Sequence, residues 1–516
     1  MKKSMQLKNT TTALSTVTRP KAKTKAKAKT KKKTVTKKEF IFDYDPSIES
    51  TSVVTLKEKY ELFINGKWTA PKSKKYFATT NPATGKKLAE IALAEESDID
   101  AAVKAAKNAL PAWQKISGLE RGKYIFRIAR LLQERAREFA VLETMDGGKP
   151  IKESRDIDIP LAAQHFFYYA GWADKLDLAF PGKKVQPVGV CGQIIPWNFP
   201  LLMAAWKLAP ALATGNTVVL KPAETTSLTA LLLCEILIEA ELPPGVVNIV
   251  TGAGKTGAAI VNHSDVNKIA FTGSTEVGKI ITKSVAHTNK KLTMELGGKS
   301  ANIVFSDAAI DQAIEGVINS IYFNQGHVCC AGSRLLIEEN IHDEFVRKLK
   351  RRMGQLRVGN PLDKNTDIGA INSKEQLTKI EQLVSVGKKE GGEFFETNVS
   401  LPSVGNFHRP CFFDGVSSSH IISKTEVFGP VLAITTFRTP DEAIKKANDT
   451  EYGLAAGIWS EKGSKVHYVA SQLNAGVIWC NTYNKFDAAS PFGGFKESGH
   501  GREGGLHGLM PYVEIK

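Results

Sequence analysis

Two irregular runs of the sequence carry side chains with complementary reactivity, a pair of thiols and a carboxylate. Cys329 and Cys330 lie in residues 323–334 (FNQGHVCCAGSR), and Glu295 lies in residues 294–299 (MELGGK). A thiolate can attack a carbonyl carbon, and a carboxylate can activate the water that later releases the covalent product. The two runs therefore predict covalent catalysis by a cysteine with a separate general base.

A third irregular run, residues 196–200 (PWNFP), follows a predicted strand and places Asn198 between two prolines. Proline fixes the backbone, and an amide that is held rigidly can stabilise an oxyanion. Asn198 is therefore a candidate oxyanion donor. The alternative is a turn asparagine packed between aromatic side chains.

Two successive strand-to-helix turns are rich in glycine, at residues 252–257 (GAGKTG) and 272–278 (TGSTEVG). Glycines let backbone amides and a helix N-terminus approach a pyrophosphate. Position 249 is isoleucine, so the earlier glycine of a P-loop is missing and ATP hydrolysis is not supported. The pattern predicts nucleotide binding, and the alternative is a pair of tight turns without a ligand.

Lys221 and Glu224 follow the predicted strand at residues 217–220. An acid at the end of a sheet strand can accept hydrogen bonds from ribose hydroxyls and repels a 2′-phosphate, which favours NAD over NADP. The alternative is an ordinary surface lysine and glutamate at the start of a helix.

Strands and helices that can position these groups alternate over residues 185–296, a pattern typical of a parallel sheet with helical crossovers. The pattern restarts after residue 300, with strands predicted at residues 431–437 and 477–480. One long amphipathic helix is predicted earlier, over residues 119–145. The length of 516 residues agrees with two or three domains.

The positive charge of the chain is concentrated at its N-terminus. Residues 1–38 hold 13 Lys and one Arg with no acidic residue, so they carry +14 of the net charge of +16. So few apolar residues cannot offset the ordering entropy, which predicts a disordered, solubilising tail. A polyanion-binding arm is the alternative, and a transit peptide fits less well because lysine far outnumbers arginine.

Six cysteines without a CxxC pair indicate neither a zinc site nor a disulfide framework, so no metal site is predicted. Such cysteine usage fits a reducing, cytoplasmic compartment. No apolar run reaches the roughly 18 residues of a membrane span.

The motifs resemble those of the NAD(P)-dependent aldehyde dehydrogenase superfamily, in the order of that family, over roughly residues 58–514. Residues 426–430 (EVFGP) and 490–494 (SPFGG) complete the set. The resemblance implies an α/β fold with a Rossmann-like parallel-sheet cofactor domain, an α/β catalytic domain and a small oligomerisation element.

The resemblance also implies domain boundaries. We expect a disordered tail at residues 1–38, an NAD-binding domain at 58–297, a catalytic domain at 298–484 and a C-terminal return and oligomerisation segment at 485–516. An oligomerisation hairpin is expected near residues 172–187. Residues 176–186 are shorter than in typical tetrameric members, so both a dimer and a tetramer stay open.

The resemblance assigns roles to individual residues. Cys329 is similar to the nucleophile of the family and Glu295 to its general base, while Asn198 and the Cys329 backbone amide resemble the oxyanion hole. The cofactor-binding candidates are Ile194, Pro196, Trp197, Lys221, Glu224, Gly254, Gly273, Ser274, Gly278, Leu296, Glu426 and Phe428. The substrate-tunnel candidates are Phe199, Trp206 and Phe492.

The implied function is oxidation of a small-molecule aldehyde to its carboxylic acid, with NAD as hydride acceptor. The path runs through a Cys329 thiohemiacetal and a thioester, and Glu295 favours hydrolysis over release to coenzyme A. Two alternatives stay open: a catalytically idle scaffold with a binding role, and an enzyme tethered to polyanions by its tail.

Overall fold

The computed structural model describes residues 45–516, and residues 46–516 form one unit built around two large β-sheets. The lysine-rich tail, with its predicted disorder and its predicted polyanion contact, lies outside the described residues. Over residues 45–516, no helix combines the length and the apolar character that a membrane crossing requires.

The chain forms short and medium-length strands throughout. In chain order they are β1 (Lys59–Tyr60), β2 (Leu62–Ile64), β3 (Lys67–Thr69), β4 (Tyr76–Thr80), β5 (Lys87–Ala92), β6 (Val185–Pro187), β7 (Val190–Ile194), β8 (Thr217–Lys221), β9 (Val247–Ile249), β10 (Lys268–Thr272), β11 (Lys291–Glu295), β12 (Ala301–Val304), β13 (Arg334–Glu338), β14 (Glu393–Glu396), β15 (Cys411–Asp414), β16 (Val431–Phe437), β17 (Tyr452–Gly453), β18 (Ala455–Trp459), β19 (Val477–Cys480), β20 (Phe495–Lys496), β21 (Gly499–His500) and β22 (Val513–Ile515).

The helices separate these strands. The α-helices are α1 (Glu96–Lys115), α2 (Gly118–Glu134), α3 (Ala136–Gly147), α4 (Ile151–Glu153), α5 (Ile159–Ala170), α6 (Leu176–Ala179), α7 (Pro200–Ala213), α8 (Leu228–Glu239), α9 (Gly254–Asn262), α10 (Thr275–Val285), α11 (Ile310–Ile321), α12 (His342–Met353), α13 (Lys374–Glu390), α14 (Ile421–Lys424), α15 (Pro440–Asn448) and α16 (Gly463–Gln472). A π-helical turn (Ser154–Asp158) joins α4 to α5, and 3₁₀ turns lie at Thr51–Val53, Phe323–Gly326, Glu339–Ile341 and Leu506–Tyr512.

The first large sheet has eight strands in the order β21-β11-β10-β7-β8-β9-β2-β3. Its five central strands are parallel, and every residue of β8 and β10 is buried. Chain connections leave β7 toward β8 and leave β10 toward β11, in opposite directions. Such a reversal opens a crevice at the carboxyl ends of the strands, where ligands bind in open α/β sheets.

The second large sheet has seven strands in the order β14-β15-β16-β13-β12-β18-β19, all parallel except β14. The two sheets confirm the predicted α/β class. The chain leaves the first sheet after β11 and enters the second sheet at β12, and β21 later returns to the edge of the first sheet beside β11. The predicted domain boundaries, including the one at residue 298, stay a prediction.

The structure differs from the predicted hairpin near residues 172–187. This segment holds the short helix α6 and the single strand β6, which pairs antiparallel with β22 of the C-terminus. This segment forms no hairpin of its own, because Leu176–Ala179 form a helical turn and β6 pairs with the far end of the chain. Its role in oligomerisation stays a prediction.

Candidate active site

A cavity of about 270 Å³ lies where the carboxyl ends of β7, β10 and β11 meet the turn that precedes β13. All three predicted catalytic residues, seven of the predicted cofactor residues and all three predicted tunnel residues line it. They are Pro196, Trp197, Asn198, Phe199, Trp206, Gly273, Ser274, Glu295, Leu296, Cys329, Glu426, Phe428 and Phe492.

The turn that carries Cys329 has an unusual backbone. After α11 ends, Asn324 and Gln325 adopt φ values of 47° and 54°, in the left-handed region that residues other than glycine rarely enter. Gly326 follows with φ of 77°, and a Cβ atom there would lie 2.2 Å from the Gly429 carbonyl oxygen. Only glycine fits that position, so the turn has a fixed path toward Cys329.

The Cys329 thiol is half-buried and adjoins the buried Cys330. The hydrogen bond with the Cys330 thiol, followed by burial, raises the pKa of Cys329 well above its usual value. The thiolate is the nucleophilic form of cysteine. Cys329 is therefore protonated in the resting site and must lose its proton before it can attack a carbonyl.

Glu295 ends strand β11 with its carboxyl group in the cavity, and neither of its carboxyl oxygens has a hydrogen-bond partner. Burial raises the pKa of Glu295 well above its usual value, and the neighbouring Glu503 raises it further. Gly493 makes room for this side chain, since a Cβ at that position would lie 2.7 Å from Glu295 Oε1. A carboxylate whose pKa is raised is a stronger base, so Glu295 is suited to accept a proton once it is ionised.

A buried ion pair beside Glu295 was not predicted from the sequence. Lys207 Nζ pairs with Glu503 Oε1 and donates to Thr272 Oγ1 at 2.7 Å. The positive charge of Lys207 lowers the pKa of Glu295, against the larger effects of burial and of Glu503. The signal in the sequence was Lys207 itself, the one charged residue in the otherwise apolar helix α7.

Asn198 lies between the cavity and the Cys329 turn. The Asn198 Nδ2 donates to the His327 backbone carbonyl at 2.8 Å. The backbone carbonyl of Asn198 accepts from Asn324 Nδ2 at 2.8 Å. A side-chain amide has two N–H donors, so one remains for a ligand. Pro200 begins α7 directly after this loop, which fits its preference for the first helical position.

The cavity wall opposite the first sheet carries Glu426 and Phe428. Glu426 Oε1 accepts from the Gly298 backbone amide at 2.9 Å, and burial raises the pKa of Glu426 to about 7. The Phe428 ring lies 5.2 Å from Trp197, edge to face. These side chains line the same cavity as Cys329 and give this wall both aromatic and polar groups.

Five predicted cofactor residues lie outside the cavity: Ile194, Lys221, Glu224, Gly254 and Gly278. Lys221 Nζ and Glu224 Oε2 form an ion pair of 3.3 Å at the carboxyl end of β8. At Gly254, the first residue of α9, a Cβ atom would meet no other atom within 4 Å. The surface beside Lys221 is therefore open along the start of α9.

Helix α10 begins between this open surface and the cavity. Ser274 is its N-cap and accepts from the Val277 backbone amide at 3.3 Å. A Cβ at Gly278 would lie 2.5 Å from Leu296 Cδ2, so glycine allows α10 to pack closely on the segment after β11. A helix N-terminus can bind phosphate groups, so the start of α10 stays the predicted position for the phosphates of a dinucleotide.

The predicted tunnel residues form an aromatic cluster on the other side of Cys329. Trp206 lies 5.2 Å from Phe492 and 6.4 Å from Phe486, and Phe199 stacks on Phe323 at 6.1 Å. Phe323 and Phe486 were not predicted as site residues. The other apolar lining residues that sequence reasoning missed are Ile157, Leu161, Leu202, Met203 and Val328.

A buried histidine supports the tunnel wall from behind. Trp206 Nε1 donates to His165 Nε2, and burial lowers the pKa of His165 to about 3. His165 is therefore a neutral acceptor. His327 is also buried, and burial followed by the charge of Lys149 lowers its pKa to about 3, so it is a neutral histidine of the turn.

Comparison with known proteins defines the family of this chain. The sequence profile of the Aldehyde dehydrogenase family matches residues 68–516, and the chain belongs to that family. It is 45% identical over 473 residues to mitochondrial aldehyde dehydrogenase of Homo sapiens, covering 88% of this chain and 91% of that protein. It is also 45% identical over 475 residues to retinal dehydrogenase 2 of Homo sapiens, covering 89% and 92%.

A solved structure is similar over the same span. The NAD⁺ complex of aldehyde dehydrogenase from Bacillus cereus has a TM-score of 0.86 and 42% identity, and covers 89% of this chain and 96% of that chain. The predictions of family, fold class and NAD-dependent aldehyde oxidation are confirmed, and the alternative of a catalytically idle scaffold is not favoured. The roles of individual residues stay predictions.

Proposed function

We propose that this chain oxidises an aldehyde to its carboxylic acid with Cys329 as nucleophile, Asn198 as oxyanion donor and Glu295 as base. The observation that carries the assignment is that all three side chains line one cavity. The three residues lie far apart in sequence, and each occupies an irregular segment or a strand end.

The first step forms the bond between sulfur and carbon. Cys329 releases its proton to solvent, and the thiolate attacks the aldehyde carbon to give a thiohemiacetal. The free N–H of Asn198 Nδ2 and the Cys329 backbone amide stabilise the negative oxygen. The raised pKa of Cys329 means that the thiol becomes nucleophilic only as it transfers its proton.

The second step transfers hydride from the thiohemiacetal carbon and leaves a thioester on Cys329. NAD, when bound, supplies the ring that accepts this hydride. Lys221 and Glu224 would hold the adenosine ribose, the N-terminus of α10 the phosphates, and Glu426 and Phe428 the nicotinamide end. The acid at position 224 disfavours a 2′-phosphate, so NAD is the proposed cofactor rather than NADP.

The third step hydrolyses the thioester. Glu295 takes a proton from water, and the hydroxide adds to the thioester carbon. The carbon–sulfur bond then breaks to release the acid, and Glu295 returns its proton to the Cys329 thiolate. Lys207 and Glu503 adjust the basicity of Glu295 in opposite directions. Because all three groups are buried, salt screens these interactions much less than it would at the surface.

The test is NADH production by purified protein with a panel of aliphatic, aromatic and amino aldehydes. We expect turnover in the wild type and none above background in Cys329→Ala at any pH. Cys480→Ala is the matched control, because Cys480 is exposed and does not line the cavity. NADH production by Cys329→Ala at the wild-type rate would disprove the mechanism.

We also propose a cytoplasmic homo-oligomer with the predicted domain boundaries, apart from the hairpin. Helix α10 exposes Val277 and Ile280, the latter to 60%, and β19 is an edge strand of the second sheet. An exposed apolar helix face and an open sheet edge are each suited to self-association. Size-exclusion chromatography with light scattering tests it, with Ile280→Glu expected to shift the protein toward monomer.

A further inference from the structure

A cluster of buried ionisable side chains lies behind the Cys329 turn, outside the machinery described above. Lys149 pairs with Asp158, and its Nζ also donates to Glu143 Oε1 at 3.2 Å. Glu153 is 5% exposed and contributes a third carboxyl group to this region. Buried charges are retained only when they are paired or hydrogen-bonded, so each carboxyl group requires a partner.

The backbone that carries this cluster is itself unusual. Glu153 ends α4, and Ser154–Asp158 form a π-helical turn before α5 begins. A π-turn inserts one residue into a helix, weakens it locally and is found mostly at functional sites. In this chain the π-helical turn directly follows Glu153 and ends at Asp158, two of the three acidic residues of the cluster.

Glu153 connects the cluster to the catalytic turn through a single acceptor atom. Its Oε2 accepts from the Asn324 backbone amide at 2.9 Å. Asn324 has φ of 47°, a conformation that surrounding contacts must maintain. Asn324 Nδ2 in turn donates to the Asn198 carbonyl at 2.8 Å. An unbroken series of hydrogen bonds therefore runs from Glu153 through Asn324 to the backbone of Asn198.

We propose that Glu153 is a positioning residue for the oxyanion site, acting through Asn324 on Asn198. This inference rests on the proposed role of Asn198. Without the Glu153 acceptor, the Asn324 amide is buried without a partner and its left-handed conformation loses its anchor. The side chain of Asn324 then no longer fixes Asn198 at the distance that oxyanion stabilisation requires.

Two substitutions of Glu153 distinguish its role as a hydrogen-bond acceptor from a role of its negative charge. Glu153→Gln keeps an sp² oxygen for the Asn324 amide and removes only the ability to ionise. Glu153→Leu removes the acceptor and keeps the approximate volume. A positioning role through the acceptor predicts near-normal activity for the first variant and a loss for the second.

The experiment measures the pre-steady-state burst of NADH and KM for NAD in the purified full-length protein. Glu153→Leu should slow the burst by about 10- to 100-fold, because misplacement of a catalytic donor has effects of that order. Glu153→Gln should stay within about threefold of wild type, and KM for NAD should be unchanged in both. Equal losses in the two variants, or a normal burst in Glu153→Leu, would overturn the proposal.

A double-mutant cycle with Asn198→Ala tests whether Glu153 acts through Asn198. Asn198→Ala alone should slow the burst by about 100- to 1000-fold. Adding Glu153→Leu to it should then have little further effect, since coupled residues are not additive. Additive effects would contradict the positioning role of Glu153 and leave the proposed function intact. A normal burst in Asn198→Ala would contradict the proposed function itself.

Asp146→Leu is the matched control for general loss of stability. Asp146 is also a buried carboxyl that accepts a backbone amide, that of Leu228 at 2.9 Å, and it does not line the cavity. Its effect should add to that of Asn198→Ala.

Asn324→Asp is the second probe if Glu153→Leu does not fold, because it keeps the backbone and replaces the donor to Asn198 by an acceptor. A normal burst in Asn324→Asp would overturn the proposal.

Discussion

The side-chain amide of Asn198 donates to the backbone carbonyl of His327, two residues before Cys329, at 2.8 Å. One N–H of the amide therefore links the loop after β7 to the turn before β13, and the other N–H stays available for an oxyanion. The proposed nucleophile and its oxyanion donor consequently have a common anchor, although they follow strands of two different sheets. A displacement of the turn moves both groups together.

Glu295→Gln should separate hydride transfer from thioester hydrolysis. The amide cannot accept the proton of the attacking water, so the thioester accumulates. We expect a burst of about one NADH per site and a steady-state kcat lowered by about 100- to 10,000-fold, the usual range for loss of a general base. Stopped-flow NADH fluorescence measures both phases. A steady-state rate equal to that of wild type would exclude Glu295 as the hydrolytic base.

Variants of the Lys207–Glu503 pair should move the pH dependence of kcat in opposite directions. Glu295 acts as a base only when deprotonated, so kcat rises as the pH passes the pKa of Glu295. Glu503 raises and Lys207 lowers that pKa. Glu503→Gln should therefore shift the rise of kcat to lower pH, and Lys207→Gln should shift it to higher pH. Shifts in the same direction would contradict this electrostatic account.

His165 should stabilise the tunnel wall only when Trp206 carries its indole N–H. In wild type, His165→Leu leaves that N–H buried without an acceptor, which should lower the free energy of unfolding by about 1–3 kcal/mol. In the Trp206→Phe background the N–H is absent, and His165→Leu should have a much smaller effect. Urea denaturation of the four proteins measures the difference.

The burial of His165 also predicts a pH dependence of stability. Burial lowers the folded-state pKa of His165 to about 3, so folding favours the neutral ring. Wild type therefore loses stability as the pH falls below about 6.5, where the histidine of the unfolded chain binds a proton. The penalty of His165→Leu should be largest above pH 7 and should shrink toward pH 5. A penalty that grows on acidification would contradict a neutral acceptor.

Removal of residues 1–38 should leave aldehyde oxidation unchanged and remove binding to polyanions. The deleted segment carries +14 of the formal charge of +16, so the remaining chain is near neutral. A gel-shift comparison of the full-length and 39–516 proteins with DNA measures the contribution of the tail. Equal mobility shifts for the two proteins, or none for either, would contradict a polyanion-binding arm.

Local patterns were sufficient for much of the fold. The predicted strands at residues 431–437 and 477–480 have the bounds of β16 and β19, because short apolar runs with β-forming residues leave little choice. The helix predicted over residues 119–145 is instead split at Arg135. Hydrophobic periodicity continues across that break, and Arg135 leaves the helical conformation while it bonds Glu138 and Glu235.

Side chains that act on the site from a distance could not be read from sequence. Glu503 and Lys207 are 296 positions apart in the sequence and meet only in the folded chain, and Glu153 reaches the Asn324 amide from a different helix. Neither pair leaves a local pattern, since each is defined by tertiary packing alone. The motifs located the reacting groups, and the residues that adjust or hold them emerged only with the fold.

The antiparallel pairing of β21 with β11 has a consequence for biosynthesis. Met294 and Glu295 pair with His500 and Gly499, and Ser498 Oγ donates to the Gly297 carbonyl. A ribosome releases chains from the N-terminus, and domains fold as their residues emerge. The strand that ends in Glu295 therefore stays at an open sheet edge until the last segment of the protein has been translated. A nascent or C-terminally truncated chain would lack this edge pairing, so the strand that carries the proposed base is completed only at the end of synthesis.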